Sequence, residues 1–189
     1  MSSAEGSSSD NNVHNVMIYQ SMSGDAESGT STFTMKGGTL TGRNGDQIYV
    51  TNTHSVITLE DVTITNQDSS GRLLAILGND ATRGWGTAGA NGGQVDLTTT
   101  NQTLTGAIEV DTVSTLNFTM GKGTNFTGTI NIVKNAEGGT AVDNNAVITV
   151  EVGATWTLTG NVTITSLENK GTINFNGYTI TLADGTVLK

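Results

Sequence analysis

The tripeptide Leu/Phe-Thr-Gly recurs four times in this chain, as Leu40-Thr-Gly42, Leu104-Thr-Gly106, Phe126-Thr-Gly128 and Leu158-Thr-Gly160. From the second copy to the third the offset is 22 residues, and the flanking apolar positions move with it: Leu104 to Phe126, Ile108 to Ile130, Val110 to Ile132. From the third to the fourth it is 32, with Val162 and Ile164 following Leu158, and with Leu116, Phe118 and Met120 echoed by Ile148, Val150 and Val152. The extra residues fit an insertion around Lys134 to Asn145. A ladder of like residues at a fixed period means that each segment stacks on the next, because one segment alone cannot bury its apolar face.

The segments are strands. Runs such as Gln47–Thr51, Ser55–Leu59, Ala107–Asp111, Thr115–Met120 and Val147–Val152 place apolar side chains on one face and Thr, Asn or an acid on the other. Helical periodicity is missing, and Thr, Gly, Asn, Ser and Asp together make up just over half of the 189 residues. The expected fold is all-β: a right-handed parallel β-helix, a pectin-lyase-like solenoid of about 22 residues per coil and roughly six to seven coils. Asn44-Gly45, Asn91-Gly92 and Asn176-Gly177 read as corners that need positive φ. Residues 1–16 read as a disordered Ser-rich tail, and 17–189 as one β-helix domain ending in a cap that protects its open edge. The tail lacks the apolar core of a signal peptide, so export requires that one was removed.

Composition narrows the function. With no Cys, the chain has neither disulfides nor thiolate metal sites, and no apolar run approaches the length of a membrane span. A net charge of −9, with only 8 Lys and Arg, argues against nucleic-acid binding.

From about Ile18 to Leu188 the chain resembles adhesin-like parallel β-helix proteins of gut-associated bacteria, a family labelled carbohydrate-binding. The resemblance is carried by Met22-Ser-Gly-Asp-Ala26, Lys36-Gly-Gly-Thr-Leu-Thr41, Tyr49-Val-Thr-Asn-Thr53, Trp85-Gly86, Asn91-Gly-Gly93, Gly123 to Asn131, Trp156 to Gly160 and Asn176 to Thr179. It implies a non-catalytic, secreted or cell-surface module that binds glycans or another surface ligand. It supplies no catalytic residues.

Candidate sites come from local chemistry. The Gly-rich segment from Gly78 to Gly93 is longer than a corner, and its Trp85 is suited to stack on a sugar ring while Arg83, Asn79 and Asp80 bond the hydroxyls. The alternative is that Trp85 folds down as a lid. Glu109 and Asp111 are expected to face outward on one strand, with Asn131 beside Glu109 on the next coil, a set that can hold Ca²⁺ weakly or form a solvated acidic face. His54 reads as a solvated turn residue and Trp156 as core. Two rival functions stay open. β-Helical polysaccharide lyases and hydrolases need a carboxylate cluster that coil stacking would have to assemble. Ice-binding solenoids need a flat Thr array, which Thr39/Thr41, Thr103/Thr105, Asn125/Thr127 and Thr157/Thr159 suggest.

Overall fold

The computed structural model describes residues 13–20, 29–78 and 87–189. The described residues form strands and no helix. The first strands are β1 (His14–Tyr19), β2 (Thr30–Lys36), β3 (Thr39–Gly42), β4 (Asp46–Thr51), β5 (His54–Glu60), β6 (Thr63–Asn66) and β7 (Leu74–Ile76). The central ones are β8 (Gln94–Thr100), β9 (Thr103–Asp111), β10 (Thr115–Met120) and β11 (Asn125–Val133). Last come β12 (Ala146–Val150), β13 (Thr155–Thr157), β14 (Val162–Ile164), β15 (Ser166–Asn169), β16 (Thr172–Asn174), β17 (Ile180–Leu182) and β18 (Val187–Leu188).

The chain visits the same sheets in rotation. One sheet runs β1-β4-β7-β9-β11-β14-β17-β18, with β13 and β16 continuing from β11; a second runs β15-β12-β10-β8-β5-β2; β3 and β6 form a third. Pairing is parallel throughout except at the closing β17/β18 pair, which is antiparallel. An all-β chain with mostly parallel sheets is compatible with the β-helix read from the sequence. Among the described residues no helix is long and apolar enough to cross a membrane.

Strand alternation decides what is inside. Phe33, Ile57, Leu97, Phe118, Ile148 and Leu167 form one unbroken ladder across the second sheet. Ile48, Leu74, Ile108 and Ile130 form another across the first. Each such side chain contributes roughly 1.5 to 3 kcal/mol when fully buried. Phe126 lies between Phe118, at 6.1 Å, and Trp156, at 5.9 Å, and the Trp156 indole N–H donates to the Gly128 carbonyl at 3.1 Å. Corners use the left-handed conformation, taken by Asn or Asp at Asn52, Asp61, Asn91, Asn101, Asn144 and Asn176 and by glycine at others, such as Gly38, Gly123 and Gly153.

The register differs from the sequence reading. The 22-residue offset holds only between β9 and β11; in the other parallel pairs paired residues lie from 17 to 40 apart. Phe126 pairs with Trp156, not Leu158, and Phe118 with Ile148, offsets of 30. The offset becomes 32 only at Asn131 and Thr163, so two residues are taken up between β13 and β14. Val152, expected in the core, lies past the end of β12 and is 69% exposed. At the other end β1 begins at His14, inside the segment expected to be a tail.

Candidate functional site

One face of the molecule carries a single chemistry. Leu40, Leu104, Phe126 and Trp156 point inward from β3, β9, β11 and β13, which turns the residues on either side of each outward. Outward pairs on successive strands are Thr39/Thr41, Thr63/Thr65, Thr103/Thr105, Asn125/Thr127, Thr155/Thr157 and Thr172/Asn174. Thr is the natural occupant, being β-branched and polar. Within each stack, neighbouring rows are about 4.8 Å apart and the two members of a row about 6.6 Å. The fourth row expected from the sequence, Thr157/Thr159, is displaced by two residues to Thr155/Thr157. Thr63/Thr65 and Thr172/Asn174 were not in the expected array. The recurring Thr-x-Thr would have pointed to the first, and only the shorter offset of 17 reveals the second.

The stack has one break, between β6 and β9. β6 pairs with β3 alone, and the first residues of β9 pair only with β11. The reason is Gln102, whose fully buried amide donates to the Val62 carbonyl at 2.7 Å and accepts from the Val62 N–H at 3.0 Å. It makes with its side chain the two bonds that a neighbouring strand would make with its backbone. The same amide also donates to the Thr103 carbonyl, at 2.9 Å. Beyond this bridge lies a groove of about 340 Å³ lined by Asp61, Val62, Thr63, Ile64, Asn101, Thr103 and Thr105. Farther along, the Leu73 N–H donates to the Ala107 carbonyl at 2.8 Å, joining the chain after β6 to β9 again.

Trp85, Arg83, Asn79 and Asp80 lie outside the described residues. The ends of their segment are well anchored: the Gly78 N–H donates to Asp111 Oδ2 at 2.7 Å, and Gly89 meets Gly139 of the 134–145 insertion backbone to backbone. Asn131 does pair with Glu109 in register. Asp111, expected to face solvent, is instead 2% exposed, because Gly78, Asn135 and Val113 all donate to its carboxylate. Glu109 accepts from Arg72 Nη1 at 2.7 Å, and Asn131 Oδ1 accepts from the Thr163 N–H at 2.8 Å. The three are thus committed to separate partners rather than converging on one point. Among the described residues no group of three His, Cys, Asp or Glu side chains is placed to hold a metal ion.

Stacking does gather charge at Arg72. Its guanidinium grips Asp46 in two bonds of 2.8 Å and reaches Glu109, while His14 Nδ1 lies 3.2 Å from Asp46 and its ring stacks on Tyr49. Burial alone would raise the Asp46 pKa; the close approach of His14, the Arg72 bonds and the Arg72 charge outweigh it and lower the value to about 2. His54 is not a free turn residue. It opens β5, with Nδ1 3.2 Å from Thr30 Oγ1 and Nε2 2.7 Å from Asp96, which Asn117 also bonds.

Comparison with family models, with curated proteins and with solved structures yields no match to this chain.

Proposed function

We propose that the chain is a right-handed parallel β-helix acting as a non-catalytic, adhesin-like module, secreted or displayed at a cell surface, that binds glycans along its Thr/Asn face. The hand follows from the rule that parallel crossover connections are right-handed in nearly all cases. The supporting observation is that face: six outward rows of hydroxyl and amide groups on a rigid stack, broken once by a polar groove. Hydroxyls that both donate and accept, repeated along an axis, complement a chain of sugars. The test is a glycan and polysaccharide array, with and without Ca²⁺, on the intact chain, Trp85→Ala and the double variant Thr155→Val/Thr157→Val. Binding lost in the double variant places the ligand on this face. Binding lost only in Trp85→Ala moves it to the Gly-rich segment, and a Ca²⁺ requirement restores the Glu109, Asp111 and Asn131 reading. The absence of binding in every condition refutes the glycan reading.

The same rows favour a second reading, an ice-binding protein, because a regular Thr lattice can order water. It ranks second because the groove and the two Asn positions interrupt the lattice. Thermal hysteresis in the intact chain, abolished by Thr155→Val/Thr157→Val, would reverse the ranking. A polysaccharide lyase or hydrolase finds no such support: the carboxylates gathered by stacking are tied to cations, Asp46 and Glu109 to Arg72 and Glu151 and Glu168 to Lys170.

A further inference from the structure

The geometry points to the groove between β6 and β9 as the seat of one or two sugar units, with Asp61 selecting neutral or amino sugars over acidic ones. This rests on the glycan reading and gives it a location and a ligand class.

The groove is held open by design of its parts. Gln102 fixes one end through three hydrogen bonds, and the Leu73 to Ala107 bond rejoins the chain farther along. Its volume, about 340 Å³, falls at the small end of the range for small-molecule sites, which suits one or two rings. Asp61 and Asn101 both take the left-handed conformation, at φ 54° and 47°, one corner ahead of β6 and the other ahead of β9. Both line the groove near the Gln102 bridge.

The lining sets the ligand's charge. Among the described residues it holds one carboxylate, three Thr hydroxyls and one amide, and no Lys, Arg or His. Lys36, which pairs with Glu60 in register, is bound to that neighbour at 2.9 Å and not to Asp61. A carboxylate only accepts hydrogen bonds, so it matches adjacent sugar hydroxyls, and an ammonium group on the ring strengthens the bond. A uronic or sulfated sugar would instead set like charges against each other with no cation of the described lining between them.

The experiment compares the full chain with Asp61→Asn, Thr103→Val, Thr157→Val and Thr119→Val on immobilised oligosaccharides of neutral, amino and uronic-acid sugars, with circular dichroism as the check on folding. Neutral or amino members should bind at least about tenfold tighter than their uronic counterparts, and Asp61→Asn should weaken that binding about tenfold and narrow the preference. Thr103→Val should weaken it less, and Thr119→Val, on another sheet, not at all. The inference is overturned if uronic members bind as well as neutral ones. It also fails if Asp61→Asn and Thr103→Val bind as the parent does while Thr157→Val weakens binding; the glycan reading then survives without this groove. No binding by the parent chain defeats both.

Discussion

From β8 to β13 the chain is held by like residues stacked on like: Leu97 on Phe118, Phe118 on Ile148, and Phe126 on Trp156, all deep in the core. Around β1, β4 and β7 the apolar ladder continues, as Ile48 on Leu74 and Val50 on Ile76, and a charged cluster is added at the start of β4. His14 and Asp46, whose side chains are each only 6% exposed, lie against one another, Arg72 ties Asp46 to Glu109, and β4 is buried along both faces. The two regions share their parallel pairing, and both vary in circuit length: 21, 22 and 30 residues in the first, 32 and 26 in the second. Apolar neighbours superpose across circuits of 21 and of 30 residues alike, so the inward ladder absorbs changes of length. Around Asp46 directional bonds from Arg72 are added to that ladder.

Four changes would break or sharpen this contrast. Trp156→Ala removes the largest buried side chain of the apolar region together with its bond to Gly128, and should cost about 4 kcal/mol in urea unfolding. A loss under about 1 kcal/mol would mean that the stack tolerates voids, against close packing. Arg72→Met strands the buried Asp46 carboxylate and should cost about 3 kcal/mol.

The charged region also predicts a pH dependence. The Asp46 pKa is depressed in the folded chain, from the ordinary 3.8 to about 2, so its contribution is complete above the unfolded value and disappears as pH falls through the folded one. The unfolding free energy should therefore drop by about 2 kcal/mol between pH 4 and pH 2, and Arg72→Met should flatten that decline. An unchanged slope in the variant would show that Arg72 does not hold the proton off.

Gln102→Leu leaves the Val62 N–H and C=O without partners and should cost about 2 kcal/mol, while changing the groove. Val152→Ser should alter stability by less than about 0.5 kcal/mol, since the side chain is in solvent. A larger loss would restore the longer register in which Val152 is core.

That last case shows what the sequence could and could not convey. Alternation has a period of two, so sliding a strand by two residues keeps every apolar side chain inside. Leu158-Thr-Gly160 repeats the lettering of Phe126-Thr-Gly128, and nothing local distinguishes that alignment from the one that sets Trp156 on Phe126. Strand identity and the inward face were thus legible, whereas the register after the insertion was not. Asp111 failed for another reason. Its strand parity is that of Glu109, but the segments at Gly78 and Asn135 close over it, and packing by distant chain is invisible to periodicity. The groove was hidden for the same reason. Nothing in the letters around Gln102 says that its amide will stand in for a strand.

The contact between Gly89 and Gly139 has an evolutionary consequence. Both residues have left-handed φ, 70° and 84°, and a Cβ on either would run into the other's backbone. Glycine is already the smallest residue, so a change at one position cannot be compensated at the other, only by altering the length of a segment. Under selection for binding, the two excursions can diversify around a crossing point that stays frozen, and a library randomised across both should return glycine at these two positions.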